Sequence, residues 1–359
     1  MHIKKIRLIN FRNYENEEIN LDEKINIIYG DNGEGKTNIL ESIFISAIGR
    51  SFRTNKEKEL INLEKNNCKI EIEYEKNNLN KNIQINIEKN NFNELKKEIY
   101  LNKIKIKKTS ELLGNICTVI FNPNDMDILK NGPVKRRKFL DIMISQLRPN
   151  YIYLLNNYKK YLDQRNIYLR QIKYENKSKE LLDIWDEKIA EIGYQIYLYR
   201  KEFIEKIKLK INNIHSKITT EKEKINIKYI SNVEDKNKYL INLKNQREID
   251  IKKGYTVEGV HRDDFVISIN NKQVSVYGSQ GQQRTVIISL KLSELEVIYD
   301  EINDYPILLL DDFTSELDEK RIVNLLENIQ KNQVIITSTN RNTINKANKY
   351  LKVENGKVL

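Results

Sequence analysis

Eight consecutive residues constrain this chain more than any others: Gly30, Asp31, Asn32, Gly33, Glu34, Gly35, Lys36 and Thr37 match G-x-x-x-x-G-K-[ST] in full. Such a loop needs a buried strand before it and a helix after it. Its backbone N–H groups must wrap phosphates while the helix N-terminus faces the same anion. Both flanks comply. Ile25, Ile27 and Ile28 form a short buried run before Gly30, and Ile39, Leu40, Ile43, Phe44 and Ala47 line one side of a helix after it. Lys36 is placed to reach the β- and γ-phosphates of ATP, and the Thr37 hydroxyl to bind Mg²⁺.

The second half of such a site stands nearly the length of the chain away. Ile307, Leu308, Leu309 and Leu310 make an apolar strand that ends in Asp311 and Asp312. Asp311 is placed to hold Mg²⁺ through water, as the Walker B aspartate of P-loop enzymes does, and Asp312 to polarise the attacking water as the catalytic residue.

The rest of the chain is organised around these two segments. Alternation in IKKIRLINF and in the run ending at Tyr29 predicts two short strands, and alternation over residues 68–107 predicts antiparallel sheet. Helical spacing follows over residues 151–172 (Tyr151, Leu155, Tyr158, Leu162, Arg165, Leu169) and 182–214, joined by the polar bridge ENKSKE as an antiparallel pair. That tyrosine and leucine stripe reads as packing core, not as a ligand box. Residues 236–247 read as a polar connector. Strands YTVEGV and DDFVISI, a helix after Gln280, the strand PILLLDD, a helix over 319–330, the strand QVIITSTN and a terminal hairpin complete the order. The fold class is therefore α/β, with one domain split between the first and last thirds and a helical domain inserted: residues 1–135, 136–250 and 251–359.

Bulk properties agree. At roughly 150 residues per domain, 359 residues allow two. Hydrophobic residues at 39% supply a sizeable core, and a net charge of +11 favours polyanionic partners, although heavy Lys, Asn and Ile usage also reflects codon bias. Cys68 and Cys117 are far apart, and His2, His215 and His261 are scattered, so no zinc or disulfide framework is expected. The opening MHIKKIRLINFRNYENEE is charged throughout, and no apolar run nears the ~20 residues of a membrane span. A soluble, cytoplasmic protein without membrane contact is expected.

A third element narrows the class. Ser279, Gln280, Gly281, Gln282, Gln283 and Arg284 precede a helix leading to the Asp311 strand. This resembles the signature loop of the ABC ATPase superfamily, in which a Ser and a Gly meet the γ-phosphate held by a partner copy. Ser315, Glu316, Leu317 and Asp318 look like the D-loop of that superfamily. More specific stretches are NFRNYE (10–15), GRSFRT (49–54), NGPVKRRKFLD (131–141), HRDDF (261–265), SQGQQR (279–284) and LLLDDFTSELD (308–318). Together they resemble the RecF family of bacterial recombination mediators, over nearly the whole chain.

The resemblance implies a P-loop ABC-ATPase head, like the head of SMC proteins, with an antiparallel β subdomain and an inserted helical lobe but no long coiled-coil arm. It implies ATP and Mg²⁺ as cofactors, with Ser279, Gly281 and Gln282 among the nucleotide contacts. It also implies binding to double-stranded, gapped and single-stranded DNA, an ATP-dependent homodimer, and action with RecR and, indirectly, RecO and RecA. Four departures stand out. Asp312 replaces the superfamily's usual Glu, so slow hydrolysis is expected. Thr337, Ser338 and Thr339 occupy the place of a histidine, and VIFNPNDMD (119–127) the place of a Q-loop, while Val260 precedes His261 where Pro is usual. Lys135, Arg136, Arg137 and Lys138 form the sharpest basic cluster, with Lys103, Lys105, Lys107 and Lys108 on a strand. Either serves equally as DNA contacts or as structural charges. An SMC-like structural ATPase and a transporter ATPase subunit are the alternatives. The missing heptad arm argues against the first, and the HRDD and GRSFRT stretches against the second.

Overall fold

The computed structural model describes residues 1–90, 92, 94–219, 223–312, 331–341 and 347–359. The expected D-loop (Ser315, Glu316, Leu317, Asp318) and the expected helix over 319–330 lie outside the described residues. The chain divides into two compact units, Met1–Asp125 with Glu294–Leu359, and Met126–Ser293.

The first unit contains two six-stranded sheets. One is antiparallel, built from β1 (His2–Phe11), β2 (Tyr14–Asn20), β4 (Asn67–Lys76), β5 (Leu79–Lys89), β6 (Leu95–Leu101) and β7 (Ile104–Lys105) in the order β2-β1-β4-β5-β6-β7. Its period-2 isoleucines face inward and pair across strands: Ile6 with Ile72, Leu8 with Ile70, Ile70 with Ile85 and Ile72 with Ile83, all buried. The opposite face carries charge, with Lys5, Arg7, Glu18, Glu71 and Glu73 lining a shallow hollow.

The other sheet is mostly parallel, in the order β15-β14-β3-β13-β12-β8. It comprises β3 (Ile25–Tyr29), β8 (Thr118–Phe121), β12 (Ile307–Leu310), β13 (Val334–Ser338), β14 (Lys349–Glu354) and the antiparallel edge β15 (Lys357–Val358). Its central strands are near-continuous apolar runs, as strands buried on both faces require. The helix α1 (Lys36–Ile48) is almost wholly buried. Where two opening strands were expected there are three, because the charged run YENEEIN pairs as β2 with only Tyr14 and Ile19 inward.

The second unit holds α2 (Asp127–Lys130), α3 (Pro133–Leu147), α4 (Pro149–Glu175), α5 (Leu182–Thr219), α6 (Lys236–Asn245), α7 (Arg247–Lys253) and α8 (Val274–Tyr277). It also holds the first part of α9 (Gln280–Ile302) and a three-stranded sheet of β9 (Ile225–Ile230), β10 (Asp264–Ile269) and β11 (Lys272–Gln273). Helices α4 and α5 run antiparallel, since Tyr161 meets Trp185, Tyr158 meets Gly193 and Tyr151 meets Tyr199. At 38 residues α5 exceeds the roughly thirty expected, about 57 Å at helical rise.

Two sequence expectations fail here. Residues 236–247 are not a connector: α6 starts at an Asp235 cap and buries Tyr239 and Leu243, one turn apart. YTVEGV is not a strand. The Thr256 side chain joins a buried ionic cluster, and the Thr256 carbonyl lies 3.1 Å from His261 Nε2. In that cluster the fully buried Arg165 donates to Asp186, Asp250 and Thr256, each at 2.7 Å. A second buried arginine, Arg200, binds Asp141, Asp263 and the Val260 carbonyl.

Candidate functional site

Strand β3 delivers the glycine-rich loop and α1 leaves it. Gly35 caps α1 at φ 117°, a left-handed conformation that only glycine adopts cheaply. A Cβ there would lie 2.6 Å from Asn13 Nδ2 and 2.9 Å from the Tyr14 hydroxyl. Those side chains grip the loop: Asn13 Nδ2 donates to the Glu34 carbonyl at 2.7 Å and Tyr14 Oη to the Gly35 carbonyl at 3.0 Å. At Gly30 a Cβ would lie 2.1 Å from the Val353 carbonyl oxygen, and the Glu34 carboxylate accepts the Asn355 N–H. The first strand pair and the C-terminal hairpin thus fix the loop from both sides. Asp31, Asn32 and Gly33 form its exposed rim. Lys36, only 5% exposed, points its ammonium into the curl and donates to the carbonyls of Gly30 (2.7 Å) and Asp31 (2.8 Å).

Parallel pairing of β12 and β3 on either side of β13 brings the two halves of the site together. Thr37 Oγ1 donates to Asp311 Oδ1 at 2.7 Å. Thr337 Oγ1, on β13, donates to the same oxygen at 2.9 Å and accepts the Asp312 N–H at 2.9 Å. Burial raises the Asp311 carboxyl above the ordinary aspartate range, against the pull of the Thr37 and Thr337 hydroxyls. Asp312 turns off the strand in the left-handed region, φ 46°. The Thr37 hydroxyl and the Asp311 carboxylate are hard oxygen donors on one point. They fit Mg²⁺, which takes one or two protein groups and fills its shell with water and phosphate.

Around α1 lies an ionic cluster that sequence reasoning did not assemble. Glu41, fully buried, receives both Arg12 Nε (3.0 Å) and Nη2 (2.8 Å), and the Ser51 hydroxyl at 2.5 Å. Arg53 reaches Glu41 at 3.5 Å and Asn38 Oδ1 at 2.6 Å, and Asn38 donates to Asn13. NFRNYE and GRSFRT therefore meet on one carboxylate. The signal was available: a lone Glu inside the apolar run NILESIFISAI needs a cationic partner.

The loop resembling a signature sequence belongs to the second unit. The Ser279 N–H donates to Gln282 Oε1 at 2.9 Å, and the Gln282 N–H donates to Ser279 Oγ at 3.2 Å, a reciprocal cap at the start of α9. Gln282 Nε2 donates to Glu223 at 2.8 Å, and Gly281 is exposed.

The basic cluster is largely absorbed into structure. Arg136 makes a bidentate pair with Asp264 (2.5 and 2.9 Å), Arg137 donates to the Asp263 carbonyl at 2.7 Å, and Lys135 lies 3.3 Å from Asp127. His261 is a satisfied turn residue, between the Tyr158 hydroxyl (3.0 Å) and the Thr256 carbonyl, with its pKa pushed down to about 4 by burial. Lys105 pairs with Glu98 at 2.6 Å.

Known proteins resemble the chain along its whole length. The family described as RecF/RecN/SMC N terminal domain matches residues 2–180 and 196–358. The DNA replication and repair protein RecF of Clostridium botulinum (strain ATCC 19397 / Type A) is 45% identical, covering 100% of this chain and 99% of that protein. RecF of Acetivibrio thermocellus is 41% identical over 99% of each. A solved structure described as the recombination mediator protein RecF-ATP in the RecFOR pathway superposes with a TM-score of 0.93 at 37% identity, over 100% of this chain and 97% of that one. The Smc head domain of Pyrococcus furiosus, at 16% identity and a TM-score of 0.58, shares the fold alone. With a P-loop and a carboxylate strand joined through Thr37 and Asp311, on a fold of the ABC-ATPase head type and at such identity from end to end, the chain belongs to the RecF family.

Proposed function

We propose that the protein is an ATP-dependent, DNA-binding recombination mediator that dimerises on ATP and helps load RecA at single-stranded gaps. One observation carries the nucleotide half of this reading: the 2.7 Å contact between Thr37 and Asp311, two residues 274 positions apart. Lys36 leaves its two loop carbonyls for the β- and γ-phosphates, where contacts between opposite charges replace ammonium–carbonyl hydrogen bonds. Thr37 and Asp311 hold Mg²⁺, which neutralises developing charge on the phosphates. Asp312, its N–H anchored on Thr337, orients the attacking water. A carboxylate one methylene shorter than Glu makes hydrolysis slow, so that it times the dimer's lifetime.

Ser279, Gly281 and Gln282 act on the nucleotide of the second copy. The dimer binds double-stranded, gapped and single-stranded DNA in the cytoplasm, and works with RecR and, indirectly, RecO and RecA. This part rests on the family membership and on the exposed, pre-capped loop. Light scattering tests it: ATP with Mg²⁺ should convert monomer to dimer, and Ser279→Arg should abolish the dimer while nucleotide binding persists. A wild-type monomer at micromolar concentration with saturating ATP would refute the reading. Lys36→Arg should remove nucleotide-dependent DNA binding on gapped substrates.

A further inference from the structure

We infer that His215, near the end of the long helix α5, and Glu223, just before β9, are positioning residues that hold the Ser279–Gln282 cap in register. The inference rests on the reading of that loop as the half-site presented to a second copy. Gln282 has both ends of its side chain committed. Its Oε1 takes the Ser279 N–H, and its Nε2 donates to Glu223 Oε1 at 2.8 Å. The other Glu223 oxygen lies 3.0 Å from His215 Nε2, and His215 Nδ1 lies 2.9 Å from Ser289 Oγ. Ser289 is two turns along α9 from Gln282, so the chain of contacts leaves α9 at the loop and returns to it through α5. His215 is fully buried and Glu223 is 20% exposed.

The protonation pattern makes the path directional. A carboxylate only accepts, so both Gln282 Nε2 and His215 Nε2 donate to Glu223. Burial lowers the His215 pKa, opposed by Glu223, and the ring's Nδ1 faces the Ser289 hydroxyl, which also lies 2.9 Å from the Thr285 carbonyl. Neither residue is among the proposed nucleotide contacts. Their effect is on the orientation of the Gln282 side chain, and through its Oε1 on the backbone of Ser279.

The test uses the full-length protein with Glu223→Ala and Glu223→Gln. Losing a charge-assisted contact that anchors the cap should speed hydrogen exchange of the Ser279 and Gln282 amides about tenfold in Glu223→Ala. The ATP-driven dimer should weaken by about the same factor, with ATP affinity of the single chain unchanged. Glu223→Gln should recover both to within about threefold, because an amide still accepts from Gln282 and can donate to His215 Nε2 in the other ring tautomer. A merely structural role would not separate these two variants. Wild-type exchange in Glu223→Ala, or an equal defect in Glu223→Gln, would overturn the inference. If the wild type itself fails to dimerise, the half-site reading falls, and the exchange measurement still decides the positioning role.

Discussion

Thr337 belongs to the trio Thr337, Ser338 and Thr339 expected in the place of a superfamily histidine, and its hydroxyl connects both acidic residues. It donates to Asp311 and receives the Asp312 N–H, so one side chain orients the Asp311 carboxylate and fixes the left-handed turn behind it. Thr337→Val keeps the shape and removes both contacts. Urea denaturation should show a loss of about 1–3 kcal/mol, the cost of unpaired buried polar groups, and Mg²⁺-dependent ATP turnover should fall with it. Thr337→Ser should retain most of both. The raised pKa of Asp311 adds a pH prediction. Its carboxyl takes up a proton at higher pH than an ordinary aspartate, and in the proposed role only the ionised form would bind Mg²⁺. Acidification should therefore weaken Mg²⁺-dependent ATP binding while the solution is still above the ordinary aspartate range near about 4. Titrating Mg²⁺ affinity against pH checks this, and an inflection at or below that range would contradict it.

At the scale of elements, the glycine-rich loop owes its shape to the packing of neighbours more than to its own sequence. The Val353 carbonyl sits where a Gly30 Cβ would project, so Gly30→Ala must push β14 and the loop apart. Overpacking of this kind costs about 1–3 kcal/mol, and the variant should melt earlier and lose ATP binding in a calorimetric titration. The loop and its flanks were legible because their signals are local: three isoleucines, the glycines, then an apolar helix face. Strands β4 and β5 were legible for the same reason, since period-2 alternation survives in both. Helix α6 was not, because two buried residues, Tyr239 and Leu243, give too thin a stripe among polar neighbours. YTVEGV misled because Thr256 commits its hydroxyl to Arg165 and its carbonyl to His261, so the segment presents no sheet face. The Thr337 clamp was out of reach altogether. It depends on the register of three parallel strands, which nothing local encodes.

The whole molecule joins two units that are stabilised by different means. The first relies on stacked isoleucines and a buried parallel sheet. The second relies on helix packing reinforced by buried arginines, Arg165 on Asp186 and Asp250, and Arg200 on Asp141 and Asp263. Each set of contacts is internal to its unit, so the two should respond to different perturbations. The P-loop and the carboxylate strand proposed to bind ATP with Mg²⁺ both belong to the first unit, so this ligand should raise the melting of that unit by linkage. Arg165→Met leaves Asp250 buried without its cation, while Arg247 still holds Asp186 at 2.6 Å. Breaking one side of a buried pair costs about 3–5 kcal/mol, and the loss should fall on the second unit. Scanning calorimetry below the dimerisation concentration should then resolve two transitions. ATP should move only one of them and Arg165→Met only the other. A single transition that both perturbations shift together would show that the chain unfolds as one cooperative body, with the internal arginine networks stabilising the nucleotide site as much as their own unit.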